Sequence, residues 1–194
     1  GDAVDLMPKS GKPLGRYFPE IVEALRGLEE ERLVLDGELV VPVGEILSFA
    51  ALQLRLHPAA SRIEKLSRET PAQLMLFDCL QSGSSDFTDA PLSERRTALD
   101  RFMKGASNER LVLSPFTTEP RDAEVWLAAS GGALDGIVAK RRDEPYRSGE
   151  RAMIKVKQHR TADCVVGGYR LSGGTVGSLL LGLYDAEGLL HYVG

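Results

Sequence analysis

Near residue 135 the hydrophobic period of the chain changes. Upstream, helical and strand segments alternate; downstream there are strands only, separated by turn residues. The pattern predicts an α+β architecture that ends in an antiparallel meander. In "FPEIVEALRGL", Ile21, Val22, Leu25 and Leu28 share a helical face, and Gly27 with the acidic run Glu29 to Glu31 closes the helix. "RLVLDGELVVPV" reads as strand interrupted at Asp36-Gly37. Ser48 is placed to cap a short helix through "FAALQLRL", and Pro71 precedes the strand "AQLMLFDCL". Ser93 is expected to cap a helix whose Leu99, Phe102 and Met103 face inward and which ends at Gly105, before the strand "RLVLS". Pro120 and Gly131-Gly132 frame a helix carrying Val125, Trp126 and Leu127. From Asp135 on, "GIVAK", "AMIKVK", "DCVVGGYRL", "TVGSLLLGLY" and "LLHYVG" are strands, with turns at Ser172-Gly173-Gly174 and Asp185 to Gly188. A boundary is expected in the polar stretch "KQHRTAD", residues 157–163.

With 194 residues and 43% hydrophobic content, the chain is large enough to bury a core. Its longest apolar run near the end, "VGSLLLGLY", is well short of the ~18 residues a membrane helix needs. No charged-then-apolar leader is present, so no membrane association is expected and the cytoplasm is the expected compartment. Cys79 and Cys164 lack metal-ligand spacing and are expected to be buried small hydrophobes. The net charge of −4 argues against a nucleic-acid partner only if charge is uniform, and it is not. Residues 138–160 hold eight Lys/Arg against three acids, a local +5 that leaves −9 for the rest. A basic stripe on an acidic chain suits a polyanion held at one place, and a solvated charged loop is the alternative.

The chemistry that such a stripe serves is suggested by "LDGIVAKRRDEPYRSGERAMIKVK", residues 134–157. Strand alternation sends Lys155 and Lys157 to one side, and two ammonium groups held together repel unless an anion lies between them. A phosphate or triphosphate fits there; solvent at an exposed edge is the alternative. Glu38 lies in the apolar "LVLDGELVV", where an acid normally needs a partner, whereas Asp36 and Asp135 each have the excuse of an Asp-Gly turn. Hard cations such as Mg²⁺ take one or two carboxylates plus phosphate oxygens, so a carboxylate, a lysine pair and a triphosphate form a coherent set. Phe77, at the end of "LMLFDCL", is either core or a face on which a purine stacks. No GxxxxGK[ST], GxGxxG or GxSxG occurs, and His57, His159 and His191 have no ligand spacing.

The ordered set "LDGELVV", "LMLFDCL", "LDGIVAKR" and "MIKVK" resembles the collinear motifs of ATP-dependent DNA ligases in the covalent nucleotidyltransferase superfamily, and most resembles the bacterial ligase C type. "SGKPLGRYFPEIVEAL", "FAALQLRLHPAASR", "PYRSGERAMIKVK" and "RTADCVVGGYR" extend the likeness over essentially the whole chain. The resemblance implies an antiparallel-sheet adenylation domain over residues 1–158 and the first strands of an OB-fold β-barrel over 159–194. It implies that Glu38 helps hold the nucleotide, that Phe77 stacks on adenine, and that Asp135 binds the catalytic metal. Lys155 and Lys157 contact the transferred phosphate on the same reading, and the loop with Arg147 and Arg151 is a DNA-backbone surface. The implied cofactors are ATP and Mg²⁺ or Mn²⁺; the implied partner is nicked duplex DNA, met by a monomer in the bacterial cytoplasm at the nucleoid. Asp135 stands where many relatives have glutamate, and Met153 where many have tryptophan.

One element of the family pattern does not occur in these 194 residues: the Lys-x-Asp-Gly tetrapeptide that carries the nucleophilic lysine. Val34 and Ala133 stand two residues before the Asp-Gly glycines' partners, where that lysine would be. The expectation is therefore an adenylation domain incomplete at its start, an OB domain incomplete at its end, and a chain that does not self-adenylate. Two other readings are a non-catalytic nucleotide- or nucleic-acid-binding module and, further behind, an mRNA-capping guanylyltransferase.

Overall fold

The computed structural model describes residues 3–30, 32–106, 108–129, 136–157 and 161–194. The chain divides into two compact units, Gly1–Gln158 and His159–Gly194.

The larger unit is built on a four-stranded sheet. Strands β1 (Leu33–Val40) and β4 (Gln73–Ser82) form its antiparallel spine; β5 (Ser85–Asp86) turns back on β4, and β6 (Leu111–Leu113) adds to β4 in parallel. β1 and β4 are rich in Leu, Val and Met, the residues that fit a pleated and half-buried surface. Leu74 and Leu76 turn into the core, where they meet Phe18 and Ile21 of the α1 region and Ala98 and Leu99 of α4. The helices are α1 (Pro19–Arg26), α2 (Phe49–Arg55), α3 (Ala60–Glu69), α4 (Leu92–Gly105) and α5 (Pro120–Ala129). A short hairpin, β2 (Pro42–Val43) with β3 (Ile46–Leu47), precedes α2. β7 (Ile137–Ala139) and β8 (Ile154–Val156) form a separate two-stranded ribbon.

Most expected elements are present, with instructive differences. β1 is not interrupted at Asp36-Gly37: both residues lie inside the strand, and the irregularity falls on its partner. Gly37 is required by proximity, because a Cβ there would stand 2.8 Å from the Met75 carbonyl oxygen. Ser48 caps α2 as expected, its hydroxyl accepting from the Ala51 N–H at 3.2 Å. Ser93 does not cap α4, which begins one residue earlier, after Pro91, with no side-chain cap. Its first amides are satisfied instead by a distant segment: Leu92 N–H donates to the Glu144 carbonyl and Ser93 N–H to the Arg142 carbonyl. α5 forms over the expected residues but buries none of them, so its Val125 and Trp126 are not core. β2 falls at the end of the expected strand "RLVLDGELVVPV", whereas β3 and α3 have no counterpart in the sequence pattern. α3 buries only Ile63 and half-buries Leu66, so its helical period rests on two large apolar residues in ten.

Three charged residues, Arg55, Asp78 and Arg95, are buried as deeply as the apolar core. Arg55 is fully buried; its Nη1 and Nη2 donate to Glu20 Oε1 and Oε2 at 2.7 and 2.9 Å, with further bonds to the carbonyls of Tyr17 and Thr70. This guanidinium ties α2 to α1 and to the turn before β4, and it lies over the Phe18 ring. Arg95 is its counterpart beneath β4 and belongs with the candidate site.

The smaller unit is a three-stranded antiparallel meander of β9 (Val165–Ser172), β10 (Thr175–Tyr184) and β11 (Leu190–Tyr192). Gly173 and Gly174 both have positive φ, 59° and 83°, as a tight hairpin between right-twisted strands demands. Asp185 shapes the second turn, its Oδ1 accepting from the N–H groups of Glu187 and Leu189. Cys79 is buried as expected, and burial first and Asp78 second raise its thiol pKa. Cys164 is only partly buried, since it precedes β9 rather than lying inside a strand. Among the described residues no helix is long and apolar enough to cross a membrane.

Candidate nucleotide site

The site is organised by a bulge. In the β1–β4 pair, Asp36 lies opposite Asp78 and Gly37 opposite Leu76, so Phe77 is left unmatched between them. Two residues of β4 therefore oppose one of β1, and the extra residue re-aims the side chains around it. Phe77 and Asp78 are brought beside Asp36 in this way, while Cys79 and Leu76 keep their places in the core. Asp36 and Glu38, two apart on β1, point to the same side of the strand.

The segment 140–147, basic in sequence, packs onto this bulge. Its carbonyls at Arg142 and Glu144 cap α4, and Tyr146 N–H donates to the Thr88 carbonyl at 2.9 Å. The Tyr146 hydroxyl donates to Asp36 Oδ2 at 2.8 Å. Lys140 places its ammonium 4.3 Å from the centre of the Phe77 ring, within cation–π range. Burial lowers the Lys140 pKa, and the nearby carboxylates of Asp78 and Asp36 oppose that shift. Within this stretch Lys140, Glu144 and Tyr146 are docked on the body of the unit, while Arg141, Arg142 and Arg147 stay exposed to solvent.

Asp78 is the buried anion of the site, 1% exposed. Arg95, from the first turns of α4, grips it with Nε to Oδ1 at 2.8 Å and Nη2 to Oδ2 at 3.1 Å. The remaining Arg95 Nη1 donates to the carbonyls of Ala90 and Glu144. Its guanidinium lies over the Tyr146 ring, 5.8 Å from the centre. A small cavity of about 30 Å³ remains beside Asp78, Arg95, Lys140, Tyr146 and Met153, enough for a water molecule and too small for a nucleobase.

The residues singled out in the sequence fall into three groups. Phe77 is partly buried at the bulge, and Glu38 is exposed beside it. An exposed acid needs no partner, so the argument made for Glu38 from its apolar neighbours applies instead to Asp78. Lys155 and Lys157 are exposed, in β8 and just past it. Lys155 pairs with Val138 across the ribbon; alternation continued one step past each strand end puts Lys140, Lys155 and Lys157 on one face. Gly136 allows this pairing, since a Cβ there would overlap the Val156 carbonyl oxygen. Arg147 and Arg151 are exposed on the connection between the strands. Asp135 lies outside the described residues. Asp36, Asp78, Arg95, Lys140 and Tyr146 were not singled out. Asp36 was passed over as a turn residue, and Asp78 carried the signal that finds it, an acid inside an apolar strand.

Among the described residues no three His, Cys, Asp or Glu side chains gather to form a metal cage. Asp36 and Glu38 fit the other mode of Mg²⁺ binding, one or two carboxylates completed by phosphate oxygens.

A two-unit α+β chain with a bulged antiparallel spine, an aromatic face at the bulge and a ribbon carrying Lys155 defines a class of protein suited to hold an anionic ligand beside an aromatic ring. The profile of the ATP dependent DNA ligase domain matches residues 1–157, and the chain belongs to that family. It is 49% identical over its whole length to DNA ligase C2 of Mycolicibacterium smegmatis and 44% identical to DNA ligase C of Mycobacterium tuberculosis. The chain spans 56% of the length of each of these relatives. Among solved structures, a mycobacterial DNA ligase D complexed with ATP and MES superposes with a TM-score of 0.61 at 26% identity, over the whole chain and 59% of that protein. A Lig E DNA ligase shares the fold with a TM-score of 0.65 at 19% identity, over 72% of its own length.

Proposed function

We propose that the protein is the nucleotide-binding part of an ATP-dependent DNA ligase of the ligase C type, which seals nicks in duplex DNA. The observation that carries this reading is the family match over residues 1–157, which includes the bulged strand pair and the lysine ribbon. Phe77 offers the face on which adenine stacks, with Lys140 displaced from it or moved to the base edge. Glu38 holds the nucleotide, and Lys155 and Lys157 meet the α-phosphate, where negative charge develops during transfer. Asp135 and the bulge carboxylates are the candidates to hold Mg²⁺ or Mn²⁺, which supplies charge neutralisation for the phosphate oxygens. Arg147 and Arg151 face the DNA backbone, and residues 159–194 are the first strands of an OB-fold.

In the reaction so assigned, a lysine Nζ attacks the α-phosphorus of ATP as the bond to pyrophosphate breaks. The nick's 5′-phosphate then takes AMP from lysine, and the neighbouring 3′-hydroxyl displaces AMP to join the strands. Covalent catalysis divides one difficult condensation into easier transfers. The 194 residues hold no Lys-x-Asp-Gly, so the nucleophile is assigned to no residue of this chain, and the chain alone is expected not to form the lysyl adduct. The expected setting is the cytoplasm, with the protein monomeric.

The test is nick sealing by a version extended at both ends to the length of its relatives. Sealing that requires ATP, and that Lys155→Ala or Lys157→Ala abolishes, supports the reading; labelling from GTP in preference to ATP replaces it with a capping-type guanylyltransferase. The missing tetrapeptide favours one further reading, a non-catalytic module that binds nucleic acid through the basic stripe. That module requires nicked-DNA affinity that falls with salt and survives Lys155→Ala only slightly weakened.

A further inference from the structure

One polar chain runs through the site without an assigned role. Asp78 grips Arg95, Arg95 lies over the Tyr146 ring, and the Tyr146 hydroxyl donates to Asp36 at 2.8 Å. The backbone of segment 140–147 is held to the body of the unit at Thr88, at the first amides of α4 and at Arg95 Nη1. Its tie to β1 is made by a side chain, that of Tyr146.

We infer that Tyr146 is a positioning residue of the nucleotide site: its hydroxyl fixes the Asp36 carboxylate at the bulge and keeps it from pairing with the Lys140 ammonium that faces Phe77. This rests on reading the bulge as a nucleotide site. The Asp36 carboxylate already favours charge on Lys140, so the two groups are within electrostatic reach. Without the phenol, Asp36 loses its donor, and Lys140 is a cation within its electrostatic reach. An Asp36–Lys140 pair then competes with the nucleotide for that ammonium. The ring of Tyr146 remains beneath Arg95 in a Tyr146→Phe variant, and the backbone bond to Thr88 remains as well. The substitution therefore removes the hydroxyl's function and leaves the docking of the segment in place.

The test is ATP binding by calorimetry on the chain, with Tyr146→Phe, Asp36→Asn and the double variant, alongside thermal unfolding of each. A hydrogen bond to a charged group sets the scale, and Tyr146→Phe is expected to weaken ATP binding about tenfold. Its unfolding midpoint is expected to move little. In the Asp36→Asn background Tyr146→Phe is expected to weaken ATP binding little further, because Tyr146 acts through the Asp36 carboxylate. ATP affinity unchanged in Tyr146→Phe, or losses that simply add, overturns the inference while leaving the nucleotide site intact. Failure of the unsubstituted chain to bind ATP overturns the nucleotide-site reading, and this inference with it.

Discussion

Removing the carboxylate of Asp78 is the substitution whose cost the structure fixes best. Asp78 and Arg95 have side chains 2% and 4% exposed and meet through two bonds, at 2.8 and 3.1 Å. Asp78→Ala leaves Arg95 buried with two backbone carbonyls and no counter-charge. Breaking one side of such a pair costs about 3–5 kcal/mol, because the remaining charge stays desolvated. In a domain of this size each kcal/mol lowers the melting temperature by roughly 2–4 °C, so Asp78→Ala is expected to melt about 6–20 °C earlier. Replacing both partners, as Asp78→Leu with Arg95→Met, removes the charge together with its partner. That double variant is expected to cost much less than the sum of the single ones. Calorimetric melting of the four proteins is the assay. Single substitutions that each cost under about 1 kcal/mol, or a double variant that is fully additive, would refute the argument that a buried pair joins α4 to the bulge.

Other expectations follow from the same geometry. Glu20→Ala strips Arg55 of its carboxylate and is expected to destabilise by about 3–5 kcal/mol in urea unfolding, whereas Glu64→Ala, which breaks the exposed pair with Arg68, is expected to cost under about 1 kcal/mol. Gly37→Ala drives a Cβ to 2.8 Å from the Met75 carbonyl oxygen, so β1 and β4 must part at the bulge; a loss of about 1–3 kcal/mol is expected together with weaker ATP binding. Ser48→Ala removes the α2 cap and is expected to cost about 1 kcal/mol in the same unfolding assay. Burial, and then the bond to Asp36, push the Tyr146 pKa up to about 12. Its folded pKa lies above the unfolded value of about 10, so its contribution to stability is complete below pH 10 and is lost as pH rises toward 12. A phenolate absorbance titration of the protein minus that of Tyr146→Phe is expected to show a midpoint near the raised value, and a midpoint near 10 contradicts it.

The fold was legible where a period was strong. The apolar runs of β1, β4, β9 and β10 declare themselves, and α1 announces both its buried face and its Gly27 stop. α3 was not legible, because its apolar face is only Ile63 and Leu66, three residues apart, among charged and hydroxyl side chains. The cap of α4 was misread for a different reason. Ser93 is a good capping residue in isolation, but the carbonyls that satisfy the helix come from Arg142 and Glu144, about fifty residues downstream, and no local pattern encodes them. The site divides in the same way. Phe77 and the lysine pair carry local signals, an aromatic at a strand end and alternation in a strand. Asp36 looked like a turn because Asp-Gly usually is one. Only the close approach of β4 to Gly37 shows that this glycine serves strand pairing and that its neighbour faces a tyrosine 110 positions away.

The central claim is that these residues form the nucleotide-binding part of a ligase whose nucleophile is none of them. Incubation with Mg²⁺ and α-phosphate-labelled ATP tests it most directly, on this chain and on a version extended at both ends. The account predicts covalent label on the extended protein and none on the 194-residue chain. Label on the shorter chain, at Lys9, Lys12 or any other lysine, contradicts it.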